Sequence, residues 1–187
     1  DLDYAPNQIV VSTGAKQSIA NAVQVLINPG DDVLLVAPYW VSYSAIVILA
    51  EGNPIEIRSD IETDFKITPA QLEGAITPKT KLVMLNSPNN PSGSMYSKEE
   101  YEALAKVLVR HPNIYVLSEE IYEHINYDNT TPFSFAAIPS MFERTITVNG
   151  LAKAFAMTGW RIGYLGGPAW LAKACTKMQG QVTSGTN

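Results

Sequence analysis

Cysteine is nearly missing from this 187-residue chain, with Cys175 standing alone. One thiol excludes an intrachain disulfide and any multi-cysteine zinc or iron–sulfur site, and a reducing, cytoplasmic setting is its simplest reading. Histidine is scarce too. The two present, His111 and His124, lie on different segments and argue against a metal centre. Basic residues are outnumbered, 13 Lys+Arg against 18 Asp+Glu, giving a net charge of −5. No basic stripe is then available to neutralise nucleic-acid phosphates. No apolar run reaches the roughly 18 residues that suggest a bilayer span, so no membrane partner is expected. The opening residues read neither as a signal peptide nor as a basic presequence. Asn129-Thr130-Thr131 fits a glycosylation sequon, a match common by chance. Asp1 in place of methionine and the small, polar stretch 179–187 read as the middle of a longer chain.

What is present is a globular composition, 46% hydrophobic and 17% charged, enough for one domain with a hydrophobic core. Short runs rich in Val, Ile, Leu or Tyr predict strands at Gln8–Ser12, Asp32–Ala37, Pro54–Arg58, Lys81–Asn86, Asn113–Ser118, Arg144–Asn149 and Arg161–Gly166. Val33-Leu34-Leu35-Val36 and Leu82-Val83-Met84-Leu85 are continuously apolar, as strands covered on both faces are. Helical spacing runs from Lys16 to Ile27 and stops at Asn28-Pro29-Gly30. Thr68-Pro69-Ala70-Gln71 and Ser97-Lys98-Glu99-Glu100 read as capping boxes; the second opens a helix ending near His111-Pro112. A last helix is expected from Pro168 towards Gly180. This alternation predicts an α/β fold: a doubly wound, mostly parallel sheet of about seven strands with helices on both faces, filling residues 1–187.

Ligands of such sheets bind outside the carboxyl ends of the strands, so the residues after each strand carry the functional reading. Thr13-Gly14-Ala15-Lys16 feeds a helix N-terminus, where backbone N–H groups can hold a phosphate; its ordinary reading is a plain connection. It lacks the spacing of a nucleotide P-loop. Pro38-Tyr39-Trp40 puts aromatic rings at a strand mouth, either as core or as a stacking surface for a flat heterocycle. Ser87-Pro88-Asn89-Asn90-Pro91-Ser92-Gly93 is a turn cluster or a rigid holder of directional amides. Glu119-Glu120-Ile121-Tyr122-Glu123-His124 is a solvated face or an acid–base set. Lys153 alone would be a surface residue, yet it falls on the same rim as Gly14, Trp40, Asn90, Glu119 and Arg161. An amine nucleophile, a stacking ring, a carboxylate for a heterocyclic cation and phosphate donors are together the protein's share of pyridoxal phosphate chemistry.

Over its whole length the chain resembles the class I/II, fold-type I aminotransferases, in their bacterial aspartate-aminotransferase-like branch. The resemblance rests on Pro38 to Tyr43, Asn86 to Gly93, Ser118 to His124, and Lys153-Ala154-Phe155-Ala156-Met157-Thr158-Gly159-Trp160-Arg161-Ile162-Gly163-Tyr164. It implies pyridoxal 5′-phosphate as cofactor, Lys153 as the Schiff-base lysine that shuttles a proton, and Arg161 with Gly14, Ala15 and Lys16 as the phosphate site. It further implies that Trp40 stacks on the ring, that Asn90 and Tyr122 bond the phenolic oxygen, and that Glu119 faces the ring nitrogen. Trp40 and Asn90 would also border the substrate. Two departures stand out: Glu119 replaces the family's usual Asp, and Ala152 stands where Ser often precedes the lysine. The implied reaction moves an amino group from an amino acid, aspartate above all, to a 2-oxo acid such as 2-oxoglutarate. The implied assembly is a homodimer of the full-length protein. Residues 1–187 would be its cofactor-binding large domain, inactive alone, without the N-terminal arm and C-terminal small domain. Other fold-type I enzymes (an aromatic aminotransferase or a carbon–sulfur lyase), a cofactor-sensing domain of a regulator, and a folded inactive remnant remain as alternatives.

Overall fold

A computed structural model describes residues 2–127 and 130–184; Asn129 of the sequon lies outside them. Seven strands form one sheet in the order β1-β7-β6-β5-β4-β2-β3. They are β1 (Ile9–Thr13), β2 (Asp32–Ala37), β3 (Asn53–Arg58), β4 (Thr80–Asn86), β5 (Tyr115–Glu119), β6 (Thr145–Gly150) and β7 (Ile162–Gly166). The five strands from β3 to β6 pair in parallel, whereas β7 runs antiparallel to both β6 and β1. The expected mostly parallel, doubly wound sheet is therefore present.

Five helices cover it: α1 (Ala15–Leu26), α2 (Ser42–Leu49), α3 (Pro69–Ala75), α4 (Lys98–Val109) and α5 (Ala169–Gln179). Both expected capping boxes form. The Thr68 hydroxyl accepts from Gln71 N and the Ser97 hydroxyl from Glu100 N, each with the reciprocal side-chain bond. Such caps satisfy N–H groups that a helix start leaves open, typically worth about 1 kcal/mol. Two apolar cores lie on opposite faces of the sheet. One packs α1, α2 and α5 through Ile19, Val23, Val47, Leu171 and Cys175; the other packs α3 and α4 through Leu72, Tyr101, Leu104 and Leu108. Burial pushes the Cys175 thiol up to about 12, so it sits in the core as a neutral group.

Two differences from the sequence reading bear on the site. The segment after Trp40 forms α2, a helix with Val41 at its N-cap position and no side-chain cap. The last strand begins at Ile162 and not at Arg161, because Arg161 takes a left-handed conformation (φ 52°) that leaves the extended ladder. Among the described residues, no helix is long and apolar enough to cross a membrane and no group of three His, Cys, Asp or Glu could hold a metal ion.

Candidate functional site

The carboxyl ends of the parallel strands open onto a cavity of about 270 Å³ lined by Ala15, Lys16, Trp40, Asn90, Glu119, Tyr122, Lys153 and Arg161, together with Ile121, Ala152 and Thr158. Eight of the nine residues singled out from the sequence thus share one wall-to-wall space. The ninth, Gly14, lies directly behind Arg161.

The anion end of the cavity follows from backbone geometry. Gly14 has φ 81° and ψ 159°, a combination essentially confined to glycine, and it turns the chain from β1 into α1. A Cβ at Gly14 would stand 2.4 Å from Arg161 Nη2 and 2.9 Å from its Cζ. Only the missing side chain lets the guanidinium lie against the turn. A Cβ on Gly163 would stand 2.2 Å from Ala15 N, so β7 and the start of α1 touch backbone to backbone. Arg161 Nη1 donates to Thr158 O at 3.1 Å, which steadies the side chain. First-turn N–H groups without intrahelical acceptors and a guanidinium fork consequently converge on one spot.

The opposite wall is built around Glu119, the last residue of β5 and only 6% exposed. Its side-chain Oε2 accepts a hydrogen bond from the Tyr43 hydroxyl, which the first turn of α2 buries beside the sheet. Burial pushes the Glu119 carboxyl up from its ordinary value, opposed by the Tyr43 bond and by the charge of Lys153. Burial, then the carboxylate, push the Tyr43 phenol well above its usual range. The Asn86 side chain ties the same region together: Nδ2 donates to Glu119 O at 3.0 Å, and Oδ1 accepts from Asn90 N at 2.7 Å. Asn90 Nδ2 in turn donates to Tyr122 Oη at 3.2 Å. The Tyr122 phenol is raised by burial and by the Glu119 charge, and lowered by Asn90.

Lys153 projects from the loop between β6 and β7, exposed, with Nζ 5.9 Å from the Tyr122 ring centroid. Trp40 is half-buried against the core, with Lys16 Nζ 4.6 Å from its ring centroid and Tyr43 edge-on at 5.9 Å. Glu120, one residue past β5, turns to the other face of the sheet. There it accepts from Ser118 Oγ at 2.9 Å and Ser134 Oγ at 2.7 Å, and burial pushes its carboxyl up to about 7. It borders a separate cavity of about 550 Å³. Tyr43 and Asn86 were given no role from the sequence. The signal for Tyr43 is its place three residues after Trp40, one helical turn on; for Asn86 it is a polar residue ending an apolar strand.

A lysine, a helix start beside an arginine, a tryptophan ring and a buried carboxylate thus line one cavity at the strand ends of an α/β sheet. Sequence comparison narrows this. The pattern of the family described as Aminotransferase class I and II matches residues 1–187, and the chain belongs to that family. It is 50% identical over 186 residues to a bifunctional aspartate aminotransferase and glutamate/aspartate-prephenate aminotransferase of Petunia hybrida, covering 100% of this chain and 39% of that one. It is 48% identical over 186 residues to the aspartate/prephenate aminotransferase of Cereibacter sphaeroides, covering 98% and 46%. The crystal structure of the Rhizobium meliloti aspartate aminotransferase superposes with a TM-score of 0.98 at 49% identity, over 100% of this chain and 47% of that one. An aromatic aminotransferase from Pyrococcus horikoshii also superposes, with a TM-score of 0.95 at 38% identity, over 99% of this chain and 49% of that one. The chain spans less than half the length of these relatives.

Proposed function

We propose that residues 1–187 are the cofactor-binding large domain of a pyridoxal-5′-phosphate-dependent aminotransferase. The full-length enzyme would take its amino group from aspartate and pass it to a 2-oxo acid, 2-oxoglutarate or, as the relatives' names suggest, prephenate. The carrying observation is that Lys153, the Gly14–Arg161 cradle and buried Glu119 border one cavity of about 270 Å³. Aspartate is favoured as donor over aromatic amino acids because the aspartate aminotransferase match is closer, 49% against 38% identity. A homodimer in the cytoplasm completes the reading, in keeping with the family and with a single, buried thiol.

The donor set fits the cofactor. A phosphate monoester needs several N–H donors and a fixed positive charge, and the α1 start with Arg161 offers both where a Cβ at Gly14 would block the approach. A pyridine ring needs a face to stack on, which Trp40 supplies, and a carboxylate for its nitrogen, which Glu119 supplies in a poorly solvated wall. A phenolic oxygen needs donors, and Tyr122 and Asn90 are already aligned with each other. When bound, the cofactor supplies an aldehyde that condenses with amines and a ring that withdraws electrons from the substrate's α-carbon. The protein's own steps are few. Lys153 Nζ would hold the cofactor's aldehyde carbon and, as a free amine, would move a proton at the substrate's α-carbon. Glu119 would keep the ring nitrogen charged. Trp40 would offer the ring a face to lie on, and Arg161 would hold the phosphate so that Lys153 meets the reacting atoms in one orientation.

The test is chemical mapping. Full-length protein mixed with pyridoxal 5′-phosphate and reduced with borohydride should carry the label on the peptide containing Lys153. Label on Lys16, Lys173 or Lys177 in its place would overturn the assignment.

A further inference from the structure

The glutamate at position 119 is one methylene longer than the aspartate that the family resemblance leads one to expect, and a longer arm can swing. Two carboxylate oxygens must be placed if one of them is to meet a ligand in the cavity. Among the described residues, Tyr43 is the hydrogen-bond donor to this side chain, and it grips Oε2. Both partners are nearly inaccessible, 2% exposed for Tyr43 and 6% for Glu119. The phenol is itself held: its ring lies parallel to Tyr39 with centroids 6.4 Å apart and edge-on to Trp40 at 5.9 Å. Two rings just before α2 therefore brace the Tyr43 ring, and its hydroxyl braces one carboxylate oxygen.

Resting on the proposed cofactor reading, we propose that Tyr43 is a positioning residue: it fixes the Glu119 carboxylate by Oε2, so that the remaining oxygen faces the ring nitrogen of the bound cofactor. The chain entering α2 would then serve two ends, with Trp40 holding the ring's face and Tyr43, three residues on, holding the group that meets its edge. The extra methylene of Glu119 is taken up by this tether and leaves no swinging arm. The groups facing Glu119 are Tyr43 from α2, Lys153 from the β6–β7 loop and Tyr122 beyond β5. Burial raises its titration, and the Tyr43 hydrogen bond and the Lys153 charge lower it.

Tyr43→Phe in the full-length protein removes the hydroxyl and keeps the braced ring. Infrared titration of cofactor-free protein, with the Glu119 band identified by its loss in Glu119→Gln, should show this carboxyl protonating about one to two pH units higher than in the parent. A midpoint that stays put would overturn the tether, whether or not the cofactor reading stands. In the loaded protein, kcat should fall about tenfold with KM little changed, and the pH midpoint of the cofactor's absorbance change should move. Unchanged absorbance titration together with a shifted infrared midpoint would overturn the positioning role while leaving the tether. If Tyr43→Phe does not fold, Glu119→Gln serves as the second variant. In a Tyr122→Phe background, which removes the other phenol that Glu119 raises, alkaline difference spectroscopy should then find one tyrosine ionising at a lower pH once Glu119→Gln is added, and no such tyrosine would sink the proposal.

Discussion

Replacing Gly14 by alanine should weaken capture of the proposed phosphate by displacing the Arg161 guanidinium. The added Cβ would stand 2.4 Å from Nη2, well inside contact distance, and the guanidinium would have to leave the start of α1. Losing one charge-assisted hydrogen bond to a phosphate costs about 1.5–3 kcal/mol, which is about a ten- to hundredfold weaker affinity. The substitution also strains the backbone, since φ 81° suits glycine, by roughly 1–2 kcal/mol. The two effects separate experimentally. Gly30 has φ 86° and nothing within 4 Å of an added Cβ, so Gly30→Ala should lower the unfolding temperature and leave affinity alone. Gly14→Ala should lower both. Titration of full-length protein with pyridoxal 5′-phosphate, followed by absorbance, measures the affinity. In an Arg161→Ala background, Gly14→Ala should have little further effect on affinity, because the displaced group is already gone. Parental affinity in Gly14→Ala, or a full additional loss in the double variant, would refute the cradle.

Glu119→Ala in the full-length enzyme should cut turnover by about a hundredfold or more while the protein stays folded, as a displaced or missing catalytic group does; near-parental turnover in a steady-state assay would deny Glu119 its role. Glu120 titrates on the opposite face, with its carboxyl pushed up to about 7 by burial. The folded state then binds more protons than the unfolded one between the ordinary value of 4.5 and about 7, so stability falls as pH rises through that window, by at most about 1.4 kcal/mol per pH unit. Urea unfolding at several pH values should show this slope in the parent and a shallower one in Glu120→Gln, the remainder belonging to Glu119, whose carboxyl burial also raises.

Sheet and site were legible from the sequence to different depths. The strands were readable because buried parallel strands are apolar without interruption, as Val33 to Val36 and Leu82 to Leu85 are, and turn residues mark their ends. The capped helices were readable from Thr68 and Ser97. Helix α2 was not: Ser42–Leu49 has no capping side chain, and its apolar residues leave no polar face to give a period. With α2 unseen, Tyr43 could not be placed opposite Glu119. Asn86 was similarly invisible as a linker, because its two bonds, to Glu119 O and from Asn90 N, join a strand end to a loop only once neighbouring strands are in register. The rim residues were found without these details because strand ends of an α/β sheet share one edge whatever the exact packing.

The reversed direction of β7 has a consequence for how this site can be assembled and altered. Because β7 runs against β6, its first residue lies on the rim where β6 ends: Gly150 pairs with Gly163, and Leu151 N donates to Ile162 O at 3.1 Å. Lys153 and Arg161 are therefore the two shoulders of a single closed hairpin, placed relative to each other by contacts local in the chain. Trp40, Tyr43 and Glu119 depend instead on the stacking of β2, β4 and β5, strands distant in sequence. A change at the β2–β3 edge can shift the wall of Trp40, Tyr43 and Glu119 and leave the amine–guanidinium pair intact. The hairpin bearing Lys153 and Arg161 and the wall bearing Trp40, Tyr43 and Glu119 can in this way be altered separately, with the hairpin as the fixed part.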